Sequence, residues 1–364
     1  MNKKVSNIQM GMLLSLIICG YFLGMSDMIL LRNSKSEVII SMLIGTIIGL
    51  IPVFMYLKIN STYPNLNIYE KCLKMFGKII GTFINFLMFI SYISIFCIAI
   101  RTIISFTVSK YLESTPYIVV GLLVSISCLI AVFKGLEAML RLARISFAIT
   151  VSFTLIIETS ILGYVDINNL LPIFASKSYI TNLIYGSLYF AATSSFLTVL
   201  LLSIKKNDVK NNKNFNKTII LFYLFGCLSL TLVMFFIVSC YGYKMSSLFR
   251  YPEYVALKKI GFSSSELHLE NLLAFRWVFY SLALSCMSLF GVETGIKVYS
   301  NKIKLNKILL IIIAIASIFI SRYVLGTVPN AILIMKKYYV PFAAVPMFTL
   351  LSVIFIRCLF VKNK

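Results

Sequence analysis

Charged residues are scarce in this sequence. Only 13% of its 364 residues are charged, whereas 60% are hydrophobic, and 34 lysines and arginines face just 12 acidic residues. A soluble protein of this length cannot bury so much apolar surface, so lipid must cover it. We therefore predict a polytopic membrane protein, all-α, with one membrane domain over residues 1–364.

Histidine is nearly absent too. His268, the one histidine, lies in a polar connection beside Ser263, Ser264, Ser265 and Glu266, as expected of a solvated loop. Membrane acyltransferases and polymer ligases usually need a positioned base, and no Ser-His-Asp arrangement is visible. The eight cysteines are scattered without metal-ligand spacing. We expect no enzymatic activity, no metal and no cofactor.

The net charge of +22 does not point to a nucleic acid partner. The basic residues sit between hydrophobic runs, where they orient helices and meet anionic lipid headgroups of the bilayer. Their distribution favours a cytoplasmic location for both termini, and the long connection Lys244–Asn271 is the main counterweight. No basic helix with interleaved aromatic residues is long enough to bind a nucleic acid.

Ten apolar runs are long enough to cross a bilayer, since about 20 helical residues match its hydrocarbon core. An amphipathic interfacial helix is expected between the second and third, around residues 69–76. The predicted spans are Ile8–Leu31, Val38–Ile59, Ile79–Lys110, Pro116–Phe133, Leu136–Leu162, Ile180–Ile204, Thr218–Tyr243, Leu272–Tyr299, Ile308–Gly326 and Val340–Val361.

The first span is broken in its outer half. Gly20, Gly24, Ser26 and Asp27 stand where a simple anchor would carry leucine and isoleucine. Glycine weakens a helix and exposes backbone groups that lipid cannot satisfy, which is tolerable only beside protein or a wet cavity. One interpretation is that this break in the helix forms half of a binding site. The other is close helix packing alone, because Gly20 and Gly24 form a G-x-x-x-G pair.

Ten spans divide into five plus five, with halves of about 1–165 and 166–364. Because five is odd, the second half enters from the opposite face, so a structural repeat would be inverted, as in many transporters. The sixth span is also interrupted, by the small and hydroxylated patch Gly186–Ser195. Half-helix N-termini attract an anionic group and C-termini an ammonium, so a zwitterionic amino acid suits such a site.

Several segments carry a family resemblance. They are Lys134–Ala143, Asp166–Pro172 and the aromatic-Pro element Arg250–Glu253, within a likeness that runs from Ser6–Gln9 through the tenth span. On these the chain resembles the B-subunit of spore germinant receptors, the spore germination permease family of the amino acid–polyamine–organocation transporter superfamily. One departure is in the sixth span, where residues 193–197 lack the family's Pro-Phe-Gly-Glu-like element.

The resemblance implies a LeuT/APC-like fold with a ligand cavity formed by the first, third, sixth and eighth spans. An ordinary alternative for the hydroxyl groups is bonding to their own backbone. By position, the residues expected to line the cavity are Gly20, Gly24, Tyr92, Ala192, Thr193, Ser194, Ser285 and Ser288.

The resemblance also implies partners and a location. They are a small-molecule germinant, an A-subunit and a lipoprotein C-subunit, in the inner membrane of the spore. The expected function is germinant sensing, with an amino acid as ligand and a signal passed to the partner subunits. The alternative is a cation-coupled secondary amino-acid transporter, because the same cavity serves both roles.

Four of the ionisable residues inside the predicted spans are informative about function. Asp27, Arg101 and Glu158 reach a similar depth near the outer interface, and Arg322 is positioned to join them. Ions inside membranes are costly and usually paired. We predict an ion cluster or outer gate centred on Arg101, with snorkelling to the headgroups as the alternative.

Overall fold

The computed structural model describes residues 5–174, 177–210, 214–261, 268–324, 326 and 345–360. These residues are almost entirely helical. The α-helices are α1 Asn7–Tyr21, α2 Asp27–Ser34, α3 Val38–Ile48, α4 Leu50–Ser61, α5 Ile68–Lys110, α6 Tyr117–Phe133, α7 Leu136–Ile161, α8 Tyr179–Ser195, α9 Phe215–Ser246, α10 Pro252–Gly261, α11 Leu269–Tyr299, α12 Ile303–Tyr323 and α13 Val345–Phe360.

The helices have the length and apolarity of membrane spans. Within the described ranges, eight helical stretches are long and apolar enough to cross a membrane, and Tyr117–Phe133 and Phe348–Phe360 are shorter apolar helices. Large apolar side chains cover their outer faces, among them Ile47, Ile79 and Leu155. Such a surface requires lipid. The all-α membrane fold is thus confirmed, whereas the count of ten spans and the inverted repeat stay predictions.

The first span is interrupted where the glycines predicted it. Between α1 and α2, Leu23 is extended (φ −70°, ψ 135°) and Gly24 has φ 93° and ψ −11°. A φ in this range favours glycine because it lacks a Cβ atom. The interruption therefore follows from the residue at position 24.

The sixth span changes its helix type. The α-helix α8 ends at Ser195, and an eight-residue 3₁₀ helix, Phe196–Ser203, continues it with every residue buried. Runs of 3₁₀ helix longer than three or four residues are uncommon and often mark a functional hinge. The second interruption thus lies at the C-terminal end of the hydroxylated patch, not at its centre.

The expected amphipathic helix forms the beginning of α5. Asn67 caps it by accepting from the Glu70 N–H at 3.0 Å, and Glu70 accepts in return from the Asn67 N–H at 2.9 Å. Gly77 (φ 77°, ψ 179°) then bends the chain into the long membrane span. The predicted boundary between the two segments is confirmed.

Helix α1 occupies the centre of the bundle. The side chains of Leu13, Leu14, Leu16, Ile17 and Ile18 are all essentially inaccessible, although they point in every direction around the helix. A helix that is apolar on all sides is buried on all sides. Here α7, α9 and α11 surround it. The interruption that follows α1 therefore lies inside the protein and not against lipid.

Candidate solute site at the interrupted first helix

The two glycines of the first span have different roles. A Cβ atom on Gly20 would lie 2.4 Å from the carbonyl oxygen of Tyr280, so this glycine lets α1 touch the backbone of α11. A Cβ atom on Gly24 would lie 2.9 Å from Thr102 Cγ2 and 3.3 Å from the Trp277 ring. Gly20 fits the packing interpretation, and Gly24 fits the interruption.

Asp27 begins α2 directly after the interruption. It is 1% exposed, and its Oδ1 accepts from the Met28 N–H at 2.8 Å. Its Oδ2 is buried and has no hydrogen-bond partner among the described residues. A carboxylate at a helix N-terminus already compensates the helix dipole. This end of α2 therefore favours a cationic group over a second anion.

Tyr92 connects three of the elements predicted to form the cavity. It is fully buried on α5, and its Oη donates to the carbonyl oxygen of Val199 at 2.9 Å. Val199 lies in the 3₁₀ segment of the sixth span. On α11, a Cβ atom at Gly291 would lie 2.4 Å from the Tyr92 ring, so the ring packs directly on that helix. The predicted meeting of the third, sixth and eighth spans occurs at Tyr92.

Most of the predicted hydroxyl groups bond to their own helices. Thr193 donates to the carbonyls of Tyr189 and Phe190, and Ser288 to those of Leu284 and Ser285. This matches the ordinary reading of serine and threonine in membrane helices.

The other two predicted hydroxyls differ from each other. Ser194 donates to the carbonyl of Phe190 at 2.7 Å and lies 3.4 Å from the Tyr223 hydroxyl. The Ser285 Oγ is buried and unpartnered within the described part of the chain. Ser285 is therefore the one hydroxyl of these four whose hydrogen-bonding capacity is unused by the described residues.

Ala192 lines a cavity to which no described residue of the interruption contributes. The cavity is apolar, has a volume of about 490 Å³ and is also lined by Ile48, Pro52 and Met55 of the second span and Phe348 of α13. Gly186, in the same patch, packs closely: its Cβ atom would lie 2.1 Å from Ser34 Oγ. The small residues of α8 thus serve helix contacts as well as the predicted site.

The structure does not form the ion cluster centred on Arg101. Among the described residues, no ion pair joins Arg101 to Asp27 or Glu158. Instead, its guanidinium donates to the carbonyls of Ser321 at 2.6 Å and Gly326 at 2.5 Å. Arg322 is exposed and lies over the Tyr117 ring at 5.8 Å. The side chains of the predicted cluster are thus not joined to Arg101 by ion pairs in the described residues, and its role as a gate stays a prediction.

A buried ion pair that sequence reasoning missed lies close to the interruption. Arg276 of α11 pairs with Glu253 of α10, and their side chains are 1% and 3% exposed. Trp277 Nε1 donates to Glu253 Oε2 at 3.2 Å, and Arg276 Nη1 donates to Thr154 Oγ1 at 3.1 Å. The available signal was Glu253 itself, a carboxylate within the aromatic-Pro element of a basic connection.

Aromatic side chains join α10 to the same region. Trp277 lies 4.6 Å from Phe106 and 5.5 Å from Tyr251, between ring centroids, and Phe106 lies 5.1 Å from Tyr251. Burial raises the pKa of Tyr251, which lies outside the spans. The Trp277 ring also contacts the position of Gly24. The α10 helix therefore covers one side of the interrupted first helix.

The other end of the sixth span is tied to the beginning of the chain. Val5 donates to the Asp208 carbonyl at 3.0 Å and accepts from the Lys210 N–H at 2.8 Å. Lys205 pairs with Glu70 at 3.1 Å. The segment 205–210 is thus fastened to both the N-terminal segment and the amphipathic helix.

Metal-ligating side chains are not clustered in the described part of the chain. Across the residues the structure describes, no group of three His, Cys, Asp or Glu side chains is placed to hold a metal ion. His268 is exposed and contacts Glu270 at 3.0 Å, whereas 263–266 lie outside the described residues. What the site offers is a buried backbone interruption, a carboxylate and a covering helix.

Comparisons with known proteins agree with this picture. Residues 4–325 match the model of a family described as spore germination protein. Spore germination protein YndE of Bacillus subtilis (strain 168) is 27% identical over 164 residues, which cover 44% of this chain and 45% of that protein. The aligned part is thus less than half of the relative's length.

The fold has a similar solved structure. A Na⁺-coupled sialic acid symporter, solved in a substrate-bound outward-open state, superposes with a TM-score of 0.64 at 13% identity, covering 99% of this chain and 80% of that one. This likeness identifies a LeuT-type transporter fold. Since the family model spans most of the sequence, the chain belongs to the spore germination protein family, the permease-like family that its sequence resembles.

Proposed function

We propose that this chain is the nutrient-sensing, permease-like subunit of a spore germination receptor, and that it binds an amino acid or a related metabolite at the interrupted first helix. The family membership and the transporter fold support a permease-like role in germination. The interruption supports the location, because it lies inside the bundle between α5 and α8, with the Trp277 ring of α11 next to Gly24. Such positions at mid-membrane bind solutes in transporters of this plan.

The Asp27 carboxylate is the observation that favours an amino acid as the ligand. Asp27 follows the interruption directly, is buried, and keeps its Oδ2 unpartnered among the described residues. An unpaired carboxylate inside a membrane protein is costly unless a cation joins it. The ammonium group of an amino acid supplies that cation, and the C-terminal end of α1 attracts the same charge. The solute carboxylate would then be bound elsewhere, with the Ser285 hydroxyl as a candidate donor.

The remaining expected cavity residues and the partners are part of the proposal. Tyr92 holds the third span against the 3₁₀ segment, so a solute at the interruption would be sensed through that contact. An A-subunit and a lipoprotein C-subunit would receive the change, in the inner membrane of the spore with both termini on its core side. A conformational change in this subunit is the signal.

Germination of spores lacking this chain tests the proposal. We expect loss of the response to one nutrient class within a panel of amino acids, sugars and nucleosides. Asp27→Asn should raise the amino-acid concentration needed by about tenfold or more, since a charge-assisted hydrogen bond is lost. Glu137→Gln, in the exposed pair of Glu137 with Arg141, is the control and should respond as wild type.

A binding measurement shows whether an unchanged germination response reflects a second receptor for the same nutrient or an error in the proposal. If the purified chain in lipid nanodiscs binds none of the panel, as followed by calorimetry, the sensing proposal is wrong. If it binds an amino acid and Asp27→Asn binds equally well, the ligand is not held by Asp27 and the site is misplaced.

A second candidate is a cation-coupled secondary amino-acid transporter. The fold likeness to a protein whose structure is described as a Na⁺-coupled symporter favours it. Uptake of labelled amino acid by vesicles containing the purified chain decides between the two. Accumulation driven by a sodium or proton gradient supports transport, whereas binding without uptake supports sensing.

A further inference from the structure

Two buried polar atoms near the Arg276–Glu253 pair lack partners. They are Oε1 of Glu158, on α7, and Nε of Arg276, on α11, and neither has a hydrogen bond within the described residues. Glu158 is 7% exposed and Arg276 is 1% exposed. A buried carboxylate and a buried guanidinium without full hydrogen bonding are both costly. Their closeness therefore needs an explanation.

Arg276 contacts α7 one helical turn before Glu158. Its Nη1 donates to Thr154 Oγ1 at 3.1 Å, and Thr154 and Glu158 are four residues apart on one face of α7. Arg276 interacts electrostatically with both Glu158 and Glu253. One guanidinium thus stands between two carboxylates that belong to different elements, the membrane helix α7 and the covering helix α10.

Glu158 opens onto a small cavity. This space of about 170 Å³ lies between α1, α7, α9 and α11. Several of its walls carry hydroxyl groups, and the volume is enough for a few water molecules. The lining is mostly apolar, and its few hydroxyl groups are the partners that a water molecule beside the carboxylate would use. The polar residues lining it are Ser15, Cys19, Thr150, Thr154, Glu158, Ser229 and Tyr280.

The charged and titratable neighbours are few. Cys19 of α1 and Tyr280 of α11 line the cavity, and Arg276 and Glu253 adjoin it from α11 and α10. The residues contributed by α9, which are Phe225, Ser229 and Leu232, carry no titratable group. Near Glu158, Arg276 supplies the positive charge and Glu253 the negative one. Glu158 and Glu253 are therefore alternative partners for the single guanidinium of Arg276.

We propose that Glu158 is a proton-binding site. It holds a proton while Arg276 is paired with Glu253, and it releases the proton when that pair separates and Arg276 pairs with Glu158 instead. While Glu253 is docked, the pair is neutral, and a second carboxylate charge beside it would be uncompensated at low dielectric, so Glu158 holds a proton. When α10 withdraws Glu253, Arg276 is left unpaired. Glu158 then ionises, its O–H bond breaks, and the proton passes to water in the cavity.

The balance of this exchange is simple. One ion pair, Arg276 with Glu253, is replaced by another, Arg276 with Glu158, and one proton leaves the protein. Docking of α10 takes that proton up again. A bound metal ion is not part of the exchange, because the adjoining guanidinium repels a cation. The inference requires neither a solute nor a partner subunit, so it stands apart from the proposed function.

Tryptophan fluorescence tests the exchange directly. Trp277 is the sole tryptophan of the chain, and its Nε1 donates to Glu253 Oε2. Its emission in the full chain, held in nanodiscs, therefore reports the docking of Glu253. We expect the emission to change as the pH rises and Glu158 ionises. Glu158→Gln should abolish this change, whereas the exposed-pair control Glu137→Gln should keep it.

Infrared spectroscopy supplies the second readout. The protonated carboxyl band that disappears on raising the pH should be missing in Glu158→Gln. In Glu253→Gln, Arg276 is free to pair with Glu158, so the band should disappear about 1–3 pH units lower than in wild type. An unchanged midpoint in Glu253→Gln overturns the proposal, as does a Glu158→Gln spectrum from which no titrating carboxyl band of the wild type is missing.

Two further outcomes are informative. If Glu158→Gln fails to fold, Glu158→Asp keeps a titratable group and should retain the band with a displaced midpoint. If Glu158→Asp shows neither the carboxyl band nor a pH-dependent emission, the proton is held elsewhere and the proposal is wrong. Emission that follows the sodium concentration at constant pH also contradicts it, since the site would then bind a metal cation.

Discussion

Tyr92 Oη donates to the backbone carbonyl of Val199 at 2.9 Å, in the middle of the 3₁₀ helix that ends the sixth span. The contact joins a side chain of the third span to a main-chain group of an interrupted one. A 3₁₀ segment has poorer hydrogen-bond geometry than an α-helix, so an outside donor to one of its carbonyls stabilises it. Tyr92 is therefore expected to hold this segment in place.

Replacing Tyr92 with phenylalanine tests that role. The ring packing on Gly291 remains, but the Val199 carbonyl loses its donor, which should cost about 1 kcal/mol of stability. Thermal unfolding of the purified chain in detergent measures it. Tyr323→Phe, on an exposed ring, is the control and should be neutral. Equal stability of both variants would show that the Val199 contact contributes nothing.

A methyl group at position 20 should be poorly tolerated. Its nearest neighbour is the Tyr280 carbonyl, a backbone atom that cannot rotate away, so α1 and α11 must separate. We expect Gly20→Ala to lower stability by about 1–3 kcal/mol, the usual cost of overpacking. Gly163→Ala is the matched control, because nothing lies within 4 Å of a Cβ atom there. An unfolding midpoint equal to that of the control would contradict close packing at Gly20.

Substitution at Gly24 acts through the backbone. Alanine there must adopt φ 93° and also approach Thr102 and Trp277. A left-handed conformation alone costs a residue with a Cβ atom about 1–2 kcal/mol. We expect Gly24→Ala to impair the germination response more than it impairs stability, because the strain lies at the proposed site. A response equal to that of Gly163→Ala would separate the interruption from function.

Removing one member of the buried ion pair should be worse than removing both. Arg276→Leu leaves Glu253 buried without its cation, which typically costs about 3–5 kcal/mol. The double variant with Glu253→Leu removes the unpaired charge and should recover most of that loss. In the exposed pair, Arg141→Leu should change stability by only about 0.5 kcal/mol. The free energy of unfolding is measured for the wild type, Arg276→Leu, Glu253→Leu and the double variant. If the effects of the two single substitutions simply add in the double variant, the two residues are not coupled.

Arg101 makes a different kind of contact. Its guanidinium donates to the buried Ser321 carbonyl in the last turn of α12 and to the part-buried Gly326 carbonyl beyond it, so Arg101→Gln leaves these acceptors without a donor and should cost about 1–3 kcal/mol. Arg322→Gln, on an exposed side chain, should be close to neutral. Protease sensitivity of the two variants compares them. Equal resistance would restore the snorkelling interpretation for Arg101.

Backbone features were the most predictable part of the site. Gly24 predicts an interruption because glycine, which lacks a Cβ atom, readily adopts a positive φ. Gly77, which also has a positive φ, separates the amphipathic helix from the third span in the same way. Apolar runs likewise predict the membrane helices, since bilayer thickness sets their length. These inferences needed only neighbouring residues in the chain.

Side-chain partnerships were less predictable. Position along the spans predicted one depth for Arg101, Asp27 and Glu158, but pairing also depends on the direction in which each side chain leaves its helix. Arg276 and Glu253 are 23 residues apart, and a connection outside the spans brings the carboxylate back into the bundle. For Thr193 and Ser288, sequence composition did not distinguish cavity lining from bonding to their own helix carbonyls.

Val5 is held by two main-chain hydrogen bonds to the segment that follows the sixth span. Any displacement of the 3₁₀ helix that moves Val209 must therefore carry the start of the chain with it. The N-terminal segment is therefore expected to move together with the end of the sixth span. A spectroscopic label placed beside Val5 would read out rearrangements of the sixth span without disturbing any residue near the proposed solute.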